Sequence, residues 1–176
     1  FGNLREPEII DKLLSHFENL NIKCTYSPSR SFSIDNKGKQ VIVSDDGTLK
    51  FHDKHMQSFL PHLPTSLPLE VKSRHSKISA SNLIISPYHL IQVYLQMLAH
   101  KTRFAAYLTA NDSHTYFHII EKDRFIICDI LEFTTWTYAW LDERVTFGEL
   151  KREAQSLRAR LYARQKFAIK FSLKIE

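Results

Sequence analysis

Hydrophobic residues recur at helical spacing in four segments of the chain. The first segment, residues 7–20, puts its apolar residues on one stripe, and Pro7 stands where proline is favoured in a first helical turn. The same spacing behind a Ser-Pro pair predicts a helix over about 86–100. Two further segments, about 123–142 and about 147–166, are also predicted to be helices.

Shorter apolar runs predict strands between these helices. NIKCTYS, SFSID and QVIVS follow the first helix and are separated by turn residues, which predicts a hairpin or meander. A loop from about 52 to 68 is expected next, before LPLEVKS resumes the sheet. RFAAYLTAND and HTYFHIIEKD flank the turn sequence Asn111-Asp112-Ser113 and predict a second hairpin. Together these elements predict an α/β fold, with a central mixed β-sheet flanked by helices.

Length and composition favour one globular domain over residues 1–176. The chain is 43% hydrophobic and has four glycines, none of them in a GxGxxG or GxxxxGK arrangement, so nucleotide-cofactor folds are not indicated. Its apolar stretches end well before the roughly 18 to 20 residues of a membrane span, so no membrane partner is expected. A start at Phe1 is compatible with a piece of a larger parent protein, and a homo-oligomer also stays open.

Two cysteines, Cys24 and Cys128, lie far apart and form neither a disulfide framework nor a zinc motif. An intracellular location, cytoplasm or nucleus, is therefore expected. The net charge of +5 favours a polyanionic partner such as nucleic acid. Basic residues crowd the last predicted helix, where Arg158 and its neighbours would either line a nucleic-acid channel or form a solvated face.

The segment LPLEVKS, residues 67–73, carries a carboxylate and an amine two positions apart. Strand alternation places Glu70 and Lys72 on the same face. Carboxylates that hold a hard divalent cation, with a lysine beside them, supply most of what phosphodiester hydrolysis needs. The cation activates water, and the lysine adds positive charge and orients the water.

A second carboxylate is expected from the end of the preceding strand, QVIVS. Asp45 and Asp46 both stand there, and Gly47 permits a tight turn that points a side chain off the strand end. Because the strand face alternates, only one of the two can point at Glu70. Asp46, which adjoins the glycine, is the preferred candidate.

The order of these motifs resembles that of the PD-(D/E)xK nuclease superfamily. Within it, the chain is most similar to the group typified by phage lambda exonuclease and the YqaJ-like viral recombinases. The resemblance rests on an acidic first helix, S-x-D-G at 44–47, E-x-K at 70–72, a helix with QVYLQ at 92–96, the hairpin and then EKDRF at 121–125. It extends from about residue 6 to about 143 and implies a restriction-endonuclease-like core, which the basic C-terminal helix follows.

The resemblance also implies a metal site. Asp46 and Glu70 would bind Mg²⁺, with Mn²⁺ as a substitute, and the carbonyl oxygen of Val71 would be a further ligand. Glu8, on the first helix, matches an acid that supports a second metal ion or its waters. The activity implied is that of a metal-dependent nuclease.

Other residues are implied in catalysis or in binding the nucleic acid. Lys72 would position the attacking water, and Gln92 would touch the active centre or the scissile strand. Tyr88, one turn earlier on the same helix, would reach a phosphate or a base. Arg74 and His75, just past Lys72, are candidates for phosphate contacts.

Two departures from the family pattern leave the substrate open. The segment between Asp46 and Glu70 is longer than in lambda exonuclease, and no element that grips a 5′-phosphate precedes Glu8. DNA is favoured, cut either from an end or internally. The alternatives are an RNA endonuclease and a non-catalytic nucleic-acid-binding or interaction domain on the same fold.

Overall fold

The computed structural model describes residues 5–52, 55–73, 85–111 and 114–175. In chain order its elements are α1 (Glu6–Asn19), β1 (Cys24–Pro28), β2 (Ser31–Asn36), β3 (Lys39–Ser44), β4 (Gly47–Phe51), α2 (His55–Phe59), β5 (Ser66–Ser73), α3 (Pro87–Ala99), β6 (Phe104–Ala110), β7 (Thr115–Glu121), α4 (Arg124–Leu141), α5 (Phe147–Ala168) and β8 (Ile169–Ile175). None of the helices in these ranges is long and apolar enough to cross a membrane.

Within the described residues, the central sheet has six strands in the order β1-β4-β5-β6-β7-β8. Strands β5 and β6 pair in parallel, and the other neighbouring strands of this described sheet are antiparallel. The parallel pair needs a crossover, which contains α3, as expected for two parallel neighbours. Strands β2 and β3 form a separate two-stranded sheet. The prediction of a mixed sheet flanked by helices is therefore confirmed.

Helix α1 covers one face of the sheet with an apolar stripe. Leu13 and Phe17 on this stripe are fully buried. The ring of Phe17 meets Phe51 and Phe117 edge to face, with centroids 5.8 and 5.2 Å apart. Such aromatic pairs add to the free energy gained by burying apolar area, so this face forms one apolar core.

Helices α3, α4 and α5 cover the opposite face and form a second core. The cap of α4 is Asp123, whose carboxylate accepts hydrogen bonds from the backbone N–H groups of Phe125 and Ile126. Helix α5 begins with a capping box between Thr146 and Glu149. These N-terminal caps fix where each helix begins.

Two strands of the sheet were not among the predicted elements. Strand β4 directly follows Asp46, and β8 follows α5, which continues to Ala168. The segment predicted as a loop over 52–68 contains the short helix α2 and the first residues of β5. The four long helices match their predicted positions within a few residues.

Candidate active site

Pairing between β4 and β5 brings Asp46 next to the E-x-K strand. The N–H of Asp46 donates to the carbonyl of Leu69 at 3.0 Å. Its carboxylate accepts in turn from the N–H of Val71, which lies 2.7 Å from Oδ2. These two backbone contacts on either side of Glu70 fix the position of the aspartate.

Gly47 is required where the chain turns from Asp46 into β4. Its φ is +151°, a conformation that side-chain-bearing residues rarely adopt. A Cβ at this position would lie 2.2 Å from Cε2 of Tyr26 and 2.6 Å from the carbonyl oxygen of Ser27. The hydroxyl of Tyr26 donates to the carbonyl of Asp46 at 2.7 Å, so the tyrosine closes this turn from the neighbouring strand.

Glu70 is buried, with only 1% of its surface exposed, and both of its carboxylate oxygens have polar neighbours. Oε1 forms an ion pair with the ammonium of Lys72. Oε2 accepts a short hydrogen bond from the side-chain amide of Gln96 on α3. The same amide nitrogen donates to the carbonyl of Ser44 at 3.1 Å, so Gln96 links the end of β3 to the glutamate.

Lys72 lies between the two carboxylates at the surface of the site. Its Nζ is 3.9 Å from Oδ2 of Asp46 in addition to its ion pair with Glu70. The side chains of Lys72 and Asp46 are about a quarter exposed, whereas Glu70 is enclosed. The arrangement is thus a cluster of two acids and one base, open on the side of Asp46 and Lys72.

Burial and like charge act on the acids of this cluster. Burial raises the pKa of Glu70, the charge of Asp46 raises it further, and Lys72 and Gln96 act in the opposite direction. The pKa of Glu6, on α1, is also raised by burial and by Asp46. Glu6 therefore belongs to the electrostatic surroundings of the site.

The two adjacent aspartates have different environments. Asp45 is buried, with Oδ2 2.6 Å from Nε2 of His100 and Oδ1 accepting from the N–H of Arg30 at 2.9 Å. Asp46 instead faces Lys72 and the N–H of Val71. The structure thus brings Asp46 to Glu70, as the glycine next to it suggested, while Asp45 ties β3 to α3.

Two other predicted site residues do not reach the cluster. Gln92 is exposed on α3, and Gln96, one turn later, contacts Glu70 instead. Glu8 is exposed on α1, and Glu6, two residues earlier, is the acid that interacts with Asp46. In both cases the helix was expected correctly, but its rotation relative to the sheet selects a different residue.

The predicted binding residues lie in different parts of the molecule. Tyr88 is 69% exposed on the first turn of α3. Arg158 is exposed on α5, with its guanidinium 5.6 Å from the centroid of the Tyr162 ring. Arg74 and His75 lie outside the described residues. The sequence prediction did not include Tyr26, Glu6 or Gln96.

The oxygen donors of the site suit a hard cation. Mg²⁺ in proteins commonly takes one or two carboxylates and keeps several waters, and Asp46 and Glu70 supply two carboxylates from adjoining strands. Oδ1 of Asp46 accepts no hydrogen bond from any residue that the structure describes. In the same ranges, no group of three or more His, Cys, Asp or Glu side chains is arranged to hold a metal ion. The fit is therefore to a cation with two protein carboxylates and mostly water ligands.

Comparisons with known proteins add little to this geometry. No protein-family model matches the chain, and no curated protein matches it significantly. Among solved structures, the chain is similar to one titled "Crystal structure of SSO0001", at 13% sequence identity and a TM-score of 0.44. The match covers 76% of this chain and 59% of that one. Together, the fold and the site define a mixed α/β protein with a carboxylate–lysine cluster where β4 and β5 pair.

Proposed function

We propose that the chain is a metal-dependent nuclease of the PD-(D/E)xK type, with a restriction-endonuclease-like core. The observation that carries the proposal is the convergence of Asp46, Glu70 and Lys72 at the pairing of β4 and β5. The fold does not evidently require the acid of the D-G motif to lie beside the acid and the lysine of the E-x-K motif. The substrate would be nucleic acid, because the net charge of +5 suits a polyanion. DNA is favoured by the resemblance to the lambda exonuclease group and not by the charge.

Asp46 and Glu70 would hold Mg²⁺, or Mn²⁺ in its place, with the carbonyl of Val71 as a candidate third protein ligand. Bound there, the cation would lower the pKa of a coordinated water and offset charge on the phosphate. Gln96 keeps the Glu70 carboxylate in a fixed orientation through its hydrogen bond to Oε2. The N–H of Val71 does the same for Asp46.

Lys72 contributes positive charge beside the place where a phosphate would react. Its ammonium contacts Glu70 and lies near Asp46, so it can orient an attacking water and stabilise charge that develops on the phosphate oxygens. Its partial exposure leaves room for the substrate on this side of the cluster.

The test is a cleavage assay on linear and circular, single- and double-stranded DNA and RNA, with Mg²⁺, with Mn²⁺ and with EDTA. Cleavage is expected with either metal and not with EDTA. Glu70→Gln, Asp46→Asn and Lys72→Ala should each lower the rate by about 100-fold or more. Lys12→Ala, which removes the same charge from the exposed face of α1, is the matched control for Lys72→Ala and should leave the rate unchanged.

The second candidate is a non-catalytic nucleic-acid-binding or interaction domain on the same fold. It is favoured by the ion pair of Lys72 with Glu70, which already neutralises the buried acid without a metal. It predicts salt-dependent binding with no hydrolysis in any metal, and that result would overturn the nuclease proposal. Cleavage confined to RNA would instead identify an RNA endonuclease, and shortening of linear but not circular DNA would identify an exonuclease.

A further inference from the structure

A row of polar side chains crosses the sheet from the carboxylate cluster to the sheet edge. The proposed chemistry uses the first residue of this row and none of the others. The row consists of Lys72 on β5, Thr109 on β6, Tyr116 on β7 and Lys174 on β8, which are register partners of one another in turn. Register partners on neighbouring strands point to the same face. The row therefore extends from the active-site lysine across three strands to the edge of the sheet.

Burial distinguishes this row from the one beside it. In the neighbouring row, Glu70, Tyr107 and His118 are buried, whereas Ser172 on β8 is exposed. One step further along the strands, Lys72 and Tyr116 are half-buried, and Lys174 is exposed. On β5, β6 and β7 the outer row is thus more accessible than the row beside it, and it borders the buried part of the face that contains the carboxylate cluster.

Tyr116 lies at the centre of a row of three ring side chains on β7. Its ring is within 14° of parallel to that of His118 and within 25° of parallel to that of His114, with centroids 6.3 and 6.2 Å apart. Burial lowers the pKa of His118 to about 4, so this ring is neutral at physiological pH. The rings of Tyr116 and His114, which are half-buried, are the accessible part of this row and lie between the two lysines.

The charges at the two ends of the row suit phosphates. Lys174 is exposed at the outer edge of the sheet, and it forms no ion pair with any residue in the described ranges. It lies three strand spacings from Lys72, about 14 Å at roughly 4.8 Å a spacing. A ligand that touches both lysines must therefore be extended, carry repeated negative charge and pass over Tyr116.

Resting on the proposed nuclease function, we propose that this row binds an unpaired nucleic-acid strand that continues from the carboxylate cluster. A base of that strand stacks on Tyr116, and a phosphate contacts Lys174. The strand is unpaired here because the bases of a duplex are stacked on one another, whereas a base of a single strand can stack on an aromatic side chain.

The experiment measures binding in a background that cannot cut. Every variant is made in Glu70→Gln protein, in EDTA, and is titrated by fluorescence anisotropy with labelled oligothymidylate and oligouridylate of about 10 nucleotides. A blunt duplex hairpin of similar length is the third probe. Tyr116→Ala should weaken single-strand binding by about tenfold or more, whereas Tyr116→Phe should retain it, because stacking needs the ring and not the hydroxyl.

Lysine variants test the phosphate contact. Lys174→Ala should weaken binding and reduce the slope of log affinity against log salt by about 0.7, the value expected for one phosphate contact on a single strand. Lys12→Ala removes an exposed lysine from α1, on the opposite face, and should leave the slope unchanged. Urea unfolding of each variant establishes that the comparison is made between folded proteins.

The outcomes separate this inference from the function on which it rests. Tyr116-dependent binding by a protein that cuts nothing would support the strand site and overturn the nuclease proposal. Cleavage by wild type, with single-strand binding unchanged in Tyr116→Ala and Lys174→Ala, would overturn the strand site alone. Equal loss of duplex and single-strand binding in Tyr116→Ala would also overturn it, because the proposal requires an unpaired strand.

Discussion

The two faces of the six-stranded sheet differ in what they carry, and β5 takes part in both. Toward α1 it presents Leu67, Leu69 and Val71, which belong to a continuous apolar core. Toward α3 it presents Glu70 and Lys72, which belong to the charged cluster. Strand alternation thus assigns apolar packing to one face and the charged cluster to the other within six consecutive residues. Substitutions on the two faces should therefore affect different measurements.

The largest effect on stability is expected from the α1 face. Phe17→Ala should lower the free energy of unfolding by about 3 to 5 kcal/mol, because it leaves a cavity between Phe51 and Phe117. Urea denaturation measures the loss. Phe167→Ala is the matched control, since that ring is 63% exposed on α5 and should change the free energy by less than about 0.5 kcal/mol. Equal losses in the two variants would contradict the assignment of stability to this face.

The next-largest effect is expected at Gly47, where a substitution should affect both stability and the position of Asp46. Gly47→Ala should cost about 1 to 3 kcal/mol, because the added methyl group collides with Tyr26 and the backbone of Ser27. It should also lower cleavage in the protein that remains folded, since Asp46 immediately precedes the glycine. In α5, Gly148→Ala meets nothing closer than 3.8 Å and should stabilise the protein by about 0.5 to 1 kcal/mol. A stability unchanged by Gly47→Ala would show that the turn can relax.

A smaller effect on activity is expected from α3. Gln96→Ala removes the amide that holds Glu70 and should lower kcat by about tenfold, with little change in KM. Gln92→Ala, one turn earlier and exposed, should lower kcat much less. Both values of kcat are measured at saturating metal. The ratio of the two losses in kcat decides between Gln92, which was chosen from the sequence, and Gln96, which contacts Glu70. A larger effect of Gln92→Ala would reverse that choice.

The last prediction concerns pH and the burial of Glu70. Its pKa is raised above the ordinary value of 4.5, so the folded protein holds this proton more tightly than the unfolded chain does. The stability that this proton contributes is fully present below pH 4.5 and is lost as pH rises through the raised pKa. In EDTA, the stability of wild type relative to Glu70→Gln should therefore decrease as pH rises from 4 to 8. A difference that is constant over this range would contradict the raised pKa.

Much of the site followed from short-range patterns. Alternation alone put Glu70 and Lys72 on one face, and the glycine after Asp46 favoured it over Asp45. Strand β8 could also have been predicted, because IKFSLKI alternates apolar and polar residues without interruption. These features depend only on neighbours in sequence, so the sequence contains them.

The choices that the sequence left open depend on tertiary packing. Gln92 and Gln96 are one turn apart, so periodicity places them on nearly the same side of α3, and the crossing of α3 over β5 selects between them. Glu6 and Glu8 are two residues apart and therefore lie on different sides of α1, and the rotation of the helix places Glu6 near Asp46. The separation of β2 and β3 from the main sheet is likewise decided by long-range pairing.

The backbone contacts of Asp46 also link activity to folding fidelity. The aspartate meets Glu70 only because β4 and β5 pair with Gly47 opposite Leu69. A shift of β5 by one residue would turn Val71 toward α3 and bury Glu70 among the side chains under α1. A misfolded copy would thus have no assembled cluster, and a chain with the proposed activity could not cut nucleic acid before its sheet had formed correctly.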